Sequence, residues 1–279
     1  FWMRRRLTLA GMRPINNIVD VSNYVMLELG QPTHAFDFDA IGEDAAGRKT
    51  IITRLAGPGE KLTTLDGAER VLLPTDIVVA DPTRALSIAG VMGGADSEVT
   101  DATRNLLFEV ASWNWVSIRR TARHHNLHSE ASYRFARGVH PELAMLAQKR
   151  GLALLQQLAG GVIAQGILDG YPEPLSPVVI DLHPDQVTRA LGVAVPTEDI
   201  ARILRSLEFQ VEPVTEGRLR VTAPQHRLDI EGPHDLVEEV ARIYGYDRVP
   251  TTLMNDCLLY TSDAADDLLC VDLGGRRII

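Results

Sequence analysis

An α+β fold in two domains is predicted by three observations. The chain has 279 residues with 45% hydrophobic and 23% charged, enough core-forming material for about two soluble domains. Between 48 and 111 the pattern is short β-rich runs punctuated by Gly, Pro and Asp, flanked by stretches with helical spacing. The stretch GYPEPLSP, 170–177, packs three prolines into eight residues and reads as the linker between the two domains.

Taken in order, Ile18, Val21, Val25 and Leu29 in NNIVDVSNYVMLELGQP fall at helical spacing, and Gly30 and Pro32 stop the helix, which delivers the chain to HAFDFDAI. TIITRL, KLTTLDG, ERVLL, DIVVAD, RALSIAGVM and LLFEVA follow as strands and hairpins, then a helix over 114–126. Another helix begins near His140 and Pro141, with proline suited to a first turn, and ends at Gly160 and Gly161. Past the linker, HPDQVTRALG is a short helix and PTEDIARILRSLEF a second, with Thr197 expected as its N-cap. FQVEPV and RLRVTAP form a hairpin, and an acid-rich helix starting near Pro233 closes a small winged-helix-like domain.

The net charge of −9 argues against a general, charge-driven nucleic-acid binder but leaves room for a local basic patch. One candidate is IRRTARHHNLHSEASYRFARG, with Arg119, Arg120, Arg123, Arg134 and Arg137 against Glu130; a solvated helix face is the plain alternative. His124 and His128 stand four apart, yet zinc would need a third ligand that the spacing does not offer. No apolar run is long enough for a membrane span and no secretory signal opens the chain, so a cytoplasmic location is expected. A start at Phe1 without Met suggests truncation there. CLLYTSDAADD resembles the translation of a sequencing-library adapter, so 257–279, with Cys257 and Cys270, is expected to be a non-biological tail.

In RLDIEGPHDLVEEVARIYGY, five carboxylates crowd into eleven residues. A step of about 100° per residue puts Asp235, Glu238 and Glu239 within about 100° of one another, on what is expected to be one exposed face. Acids at a helix start are favoured by the dipole, so capping alone accounts for some of them; a hard divalent ion such as magnesium would relieve the mutual repulsion of the rest.

Five separated stretches now carry a resemblance: NNIVDVSNYVMLELGQPTHAFDFDAI, LTTLDGAERVLLPTDIVVAD, SIAGVMGGADSEVT, EVASWNWVSIRRTARHHNLHSEASYRFARGV and DIEGPHDLVEEVARIYGYDRVP. Together, from about Arg13 to Leu253, they resemble the beta subunit of bacterial phenylalanine–tRNA ligase. The resemblance implies a B3/B4 editing domain over 1–172, rich in layered β-structure, and a B5 domain over 177–250. It implies an alpha subunit as partner in an alpha2-beta2 heterotetramer, tRNA(Phe) as a second partner, and magnesium shared with the alpha subunit through Asp229, Asp235, Glu238 and Glu239. ATP would be used by the complete enzyme in the alpha subunit and not bound by this chain.

The implied chemistry here is hydrolysis of tyrosine wrongly esterified to tRNA(Phe). A phenylalanine pocket rejects an added hydroxyl by only about 100-fold, whereas a second site that hydrogen-bonds that hydroxyl discriminates by about 10⁴ or more. By resemblance Glu109 is the acceptor and His34 a polar pocket residue able to orient water or ester. Gly90 and Gly93 would admit the tRNA end to the backbone, and Ser129 and Ala131 would form the pocket floor. Ser22 and Ser129 stand where threonine is usual, which keeps a hydroxyl and loses a methyl. No serine or cysteine has the base partner that covalent catalysis needs, so the expected nucleophile is a positioned water. A non-catalytic nucleic-acid or partner-binding module is the competing class, and a stand-alone editing protein a narrower one.

Overall fold

The computed structural model describes residues 1–214 and 217–251; the expected tail at 257–279 lies outside them. The chain divides into two compact units, the first 1–177 with 224–229, the second 178–223 with the stretch from 230.

The first unit opens with α1 (Trp2–Leu9) and α2 (Asn17–Leu29). Asn16 caps α2 by accepting from the amides of Ile18 (3.1 Å) and Val19 (2.9 Å), and Gly30 ends it at φ 74°, a left-handed turn that glycine adopts without a steric cost. Then come β1 (Thr33–Asp37), β2 (Ile52–Leu55), β3 (Lys61–Thr63), β4 (Glu69–Val71), β5 (Ile77–Ala80), β6 (Ala85–Ile88), β7 (Met92–Gly93) and β8 (Leu106–Val110). Three helices close the unit: α3 (Trp115–His124), α4 (Glu130–Phe135) and α5 (Leu143–Ala159).

All pairings are antiparallel: β1 with β8, β3 with β4, and a four-stranded sheet in the order β2-β5-β6-β7. The β1–β8 ladder is the centre of the unit because both of its faces are covered. Ala35, Leu106, Phe108 and Val110 pack with Val21 and Val25 of α2 and Ala147 and Leu154 of α5. Phe36 and Leu107 turn the other way, onto Val79 and Leu86 of the four-stranded sheet. That alternation is the period of two of a strand buried on both sides. Gly151, inside α5, lets the ring of Phe108 press against the helix where a β-carbon would collide with it. The glycine costs about 1 kcal/mol of helix propensity and brings α5 down onto β8.

The second unit holds β9 (Val179–Leu182), α6 (Pro184–Leu191), α7 (Thr197–Ser206), β10 (Gln210–Pro213), β11 (Leu219–Thr222) and α8 (Pro233–Tyr244). Its sheet runs β10-β11-β9 and packs with the three helices around Leu182, Ile200, Leu204, Val221, Leu236 and Val240. Thr197 is not the N-cap of α7: Pro196 holds that position without a side-chain cap, and Thr197 is the first helical residue. Among the described residues no helix is long and apolar enough to cross a membrane.

Candidate active site

The register that builds the core also builds the site. His34 pairs with Glu109 across the β1–β8 ladder, so both side chains leave the same face, one that alternates with the Ala35/Phe108 face. They line a cavity of about 100 Å³ together with Gly90, Gly93, Trp113, Ala131 and Phe135. Pro32, Thr33, Val91, Met92, Gly93 and Ala131 also line a second, larger space of about 450 Å³, to which Ser22, Asn23, Asp66 and Ser129 contribute. The two form an inner chamber and a vestibule with a common wall, and all seven residues expected of an editing pocket line one or the other.

Burial governs the electrostatics. Glu109 is not a solvent-facing strand residue; desolvation alone pushes its carboxyl up to about 7. Desolvation likewise drives His34 down to about 4, so the imidazole is neutral near pH 7. His34 Nε2 is buried with no hydrogen-bond partner, one of two such side-chain atoms among the described residues, the other being Oε1 of Gln31. A neutral imidazole with an unused nitrogen and a carboxyl poised near neutrality, both facing one small chamber, can satisfy a polar group on a buried ligand.

The two glycines are needed by the packing around the chamber. A β-carbon on Gly90, whose φ is +67°, would lie 2.7 Å from Trp113 and 3.0 Å from Phe135; one on Gly93 would lie 2.8 Å from the His34 ring. Their missing side chains make room for the chamber's own walls. The two serines have structural duties as well. Ser22 Oγ is 2.6 Å from the carbonyl of Thr33, to which it donates, and 2.7 Å from the Thr33 hydroxyl. Ser129 caps α4, accepting from Ser132 N (3.0 Å) and donating to the carbonyl of Val91 (2.7 Å), which pins the AGVMGG turn to the helix start. Ser129 and Ser22 line the vestibule, while Ala131 borders both spaces.

Two groups were not anticipated from the sequence. Arg70 donates to Thr64 Oγ1 (3.0 Å), to Asp66 Oδ2 (2.6 Å) and to the carbonyl of His125 (3.1 Å), bracing the Leu65–Asp66 turn at the vestibule. Asp76 receives Thr121 Oγ1 (2.7 Å) and Leu73 N (2.9 Å) and meets His125 Nε2 (2.7 Å). Desolvation raises the Asp76 carboxyl, but those hydrogen bonds outweigh it and hold the group below the usual carboxylate range. The spacing of Asp76 and His125 gives no signal of their meeting.

Three of the four expected magnesium ligands are engaged by other protein groups. Asp229 is held by both nitrogens of the Arg227 fork (2.8 and 2.6 Å). Asp235 accepts from the amides of Glu231 and Gly232 (both 2.9 Å), which is capping of α8. Glu238 is exposed, but Glu239 is not on an exposed face: it is 7% exposed and ion-paired with Arg242. A helix face that looks wholly polar on a wheel is here partly covered, because the apolar stripe of α8 extends past Glu239 to Val240 and Leu236. Among the described residues no group of three or more His, Cys, Asp or Glu could hold a metal, so these residues do not fit magnesium by themselves.

An α+β unit with a two-sided central ladder and a buried acid–imidazole chamber belongs to a recognised class: residues 1–160 match the B3/4 domain, and this chain belongs to that family. Residues 180–246 match the tRNA synthetase B5 domain. The curated relatives that this chain matches are named phenylalanine–tRNA ligase beta subunits. That of Moorella thermoacetica is 49% identical over 90% of this chain and 30% of its own length, and that of Geobacter sulfurreducens 45% identical over 90% and 31%. The beta subunit of Anaeromyxobacter dehalogenans is 41% identical over 95% of the chain and 32% of its own. The chain thus spans about a third of the length of the curated relatives it matches. Among solved structures, an N-terminal fragment of the Pyrococcus horikoshii phenylalanyl-tRNA synthetase beta subunit aligns with 82% of this chain and 65% of its own, at 19% identity and TM-score 0.42.

Proposed function

We propose that this chain is the editing portion of a phenylalanine–tRNA ligase beta subunit and hydrolyses tyrosine esterified to tRNA(Phe). The observation that carries the reading is the His34–Glu109 pair, a buried imidazole nitrogen without a hydrogen-bond partner opposite a part-buried carboxyl, facing one chamber beside a larger vestibule. Phenylalanine entering that chamber would cover the Glu109 carboxyl and leave it unsatisfied, at a cost of about 1 to 3 kcal/mol, whereas the phenol hydroxyl of tyrosine supplies the missing hydrogen bond. Glu109 takes the hydroxyl; neutral His34 holds the ligand or the attacking water through Nε2; the pinned 90–93 turn fixes the walls. The names of the relatives support tRNA as substrate and an alpha subunit as partner; an alpha2-beta2 assembly in the cytoplasm is part of the proposal. Aminoacylation, with its ATP, falls to that alpha subunit. An ion held by Asp229, Asp235, Glu238 and Glu239 would require release of the contacts that Asp229, Asp235 and Glu239 now make.

The test compares release of tyrosine and of phenylalanine from tRNA(Phe) by the full assembly and by its Glu109→Ala variant. The expected result is selective release of tyrosine, with the preference falling by about 10²-fold or more in the variant. Equal release of the two amino acids by the unaltered protein would overturn the reading.

A further inference from the structure

The editing reading accounts for the chamber but leaves unused a basic surface of the first unit. On α3, Arg119, Arg120 and Arg123 are exposed and make no ion pair or hydrogen bond among the described residues. A step of about 100° per residue sets the three within about 100° of one another, with Trp115, 49% exposed, one turn before Arg119 on the same stripe. On α4 Tyr133 is 59% exposed and Arg134 partly so, and Arg137, just past the end of the helix, is exposed. The Arg137 guanidinium lies 3.5 Å over the Tyr133 ring, a flat cation-on-aromatic plate, and Arg134 is paired with Glu130 (2.7 Å). This concentration of positive charge sits in a chain whose net charge is −9.

The inward sides connect the surface to the site. Ile118 of α3 and Phe135 of α4 both press on the Gly90 turn, and Phe135 and Ala131 line the chamber. Ser129 and Glu130, at the start of α4, line the vestibule. α4 therefore walls the site, α3 packs behind the Gly90 turn through Ile118, and Arg119, Arg120 and Arg123 of α3 stay exposed. Unpaired arginines spaced along a helix, interleaved with exposed aromatic rings, suit a polyanion that also presents flat bases.

We propose that the outer faces of α3 and α4 are a docking surface for the RNA phosphodiester backbone, and that they hold the nucleic acid whose 3′ end enters the vestibule. This inference rests on the editing reading for the identity of the RNA. The surface acts by holding substrate and touches no reacting atom, so its loss changes KM and salt dependence and spares turnover.

The experiment is the charge reversal Arg119→Glu, Arg120→Glu and Arg123→Glu in the full assembly, with the melting temperature checked against the unaltered protein. Three lysine substitutions at the same positions serve as the conservative control. Expected are a KM for Tyr-tRNA(Phe) raised at least about tenfold with kcat nearly unchanged, substantial recovery with lysine, and a log KM against log salt slope reduced by roughly two for three phosphates. An unchanged KM and salt slope would overturn the docking surface while selective tyrosine release left the editing reading standing. If the unaltered protein released no tyrosine, anisotropy of fluorescent, uncharged tRNA(Phe) would decide the surface alone: weaker binding of the reversed variant supports it, equal binding overturns it. Weaker binding of the variant to anionic lipid vesicles with RNA binding intact would also overturn it.

Discussion

At the scale of single residues, His34 and Glu109 make opposite demands on pH. The folded chain keeps the Glu109 proton up to about 7, past the ordinary value of 4.5, so between those values the unfolded chain binds fewer protons and stability falls as pH rises. For His34, lowered to about 4 from 6.5, the unfolded chain binds more protons, and stability rises with pH across that window. From about 4.5 to about 6.5 the two slopes oppose each other, and this pair gives a nearly flat contribution. Glu109→Gln should expose the histidine's slope, about 1.4 kcal/mol gained per pH unit on going from pH 4.5 to 6.5, measurable as a denaturation midpoint followed against pH. Gly90→Ala should lose about 1 to 3 kcal/mol, since the added methyl meets Trp113 and Phe135 at a left-handed φ; a thermal melt equal to that of the unaltered protein would contradict it. The sequence could nominate Glu109 by resemblance but not bury it. An acid inside an apolar strand reads alike whether its face meets solvent or a second sheet, and only the pairing of β1 with β8 decides between them.

At the scale of elements, the punctuation of the chain was its most readable part. Gly30 and Gly160 end α2 and α5 as expected, and the β-rich run resolves into β2 to β8. What escaped was short: β1 carries only five residues, α4 six and β9 four, lengths over which neither a period of two nor one of 3.6 is distinct. The turn between β3 and β4 gives a test of how such short elements are held. One guanidinium, that of Arg70, ties Thr64, Asp66 and the carbonyl of His125 together. Arg70→Lys keeps the charge and loses the fork, and should cost about 1 to 3 kcal/mol of stability and lower kcat/KM for editing; unaltered kinetics would show that the turn needs no brace. In α8, Asp235→Ala removes an acceptor for two backbone amides and should cost about 1 kcal/mol in chemical denaturation, whether or not an ion is ever bound there.

At the scale of the whole molecule, each unit has its own apolar core, with residues 224–229 counted among the first although they lie beyond most of the second in sequence. Leu228 illustrates the return, lying within 2.9 Å of where a β-carbon on Gly138 would stand. A linker rich in proline marks the first passage between units plainly, whereas nothing in PQHRLD announces the second. Since Asp229, Asp235 and Glu239 are already engaged, millimolar magnesium added to this chain alone should leave its melting temperature unchanged, and a clear rise would show that the acids rearrange around an ion. The ladder that faces His34 toward Glu109 also sets what change the gene can tolerate. β1 and β8 are the two ends of a long excursion through β2 to β7, so connecting loops within that excursion can lengthen or shorten while the pair stays opposed. A single codon inserted inside either strand reverses the parity of every residue beyond it, trading Glu109 for its apolar neighbour in the chamber. Length variation between descendants of this sequence should therefore collect outside 33–37 and 106–110, where counting by twos decides whether there is a site at all.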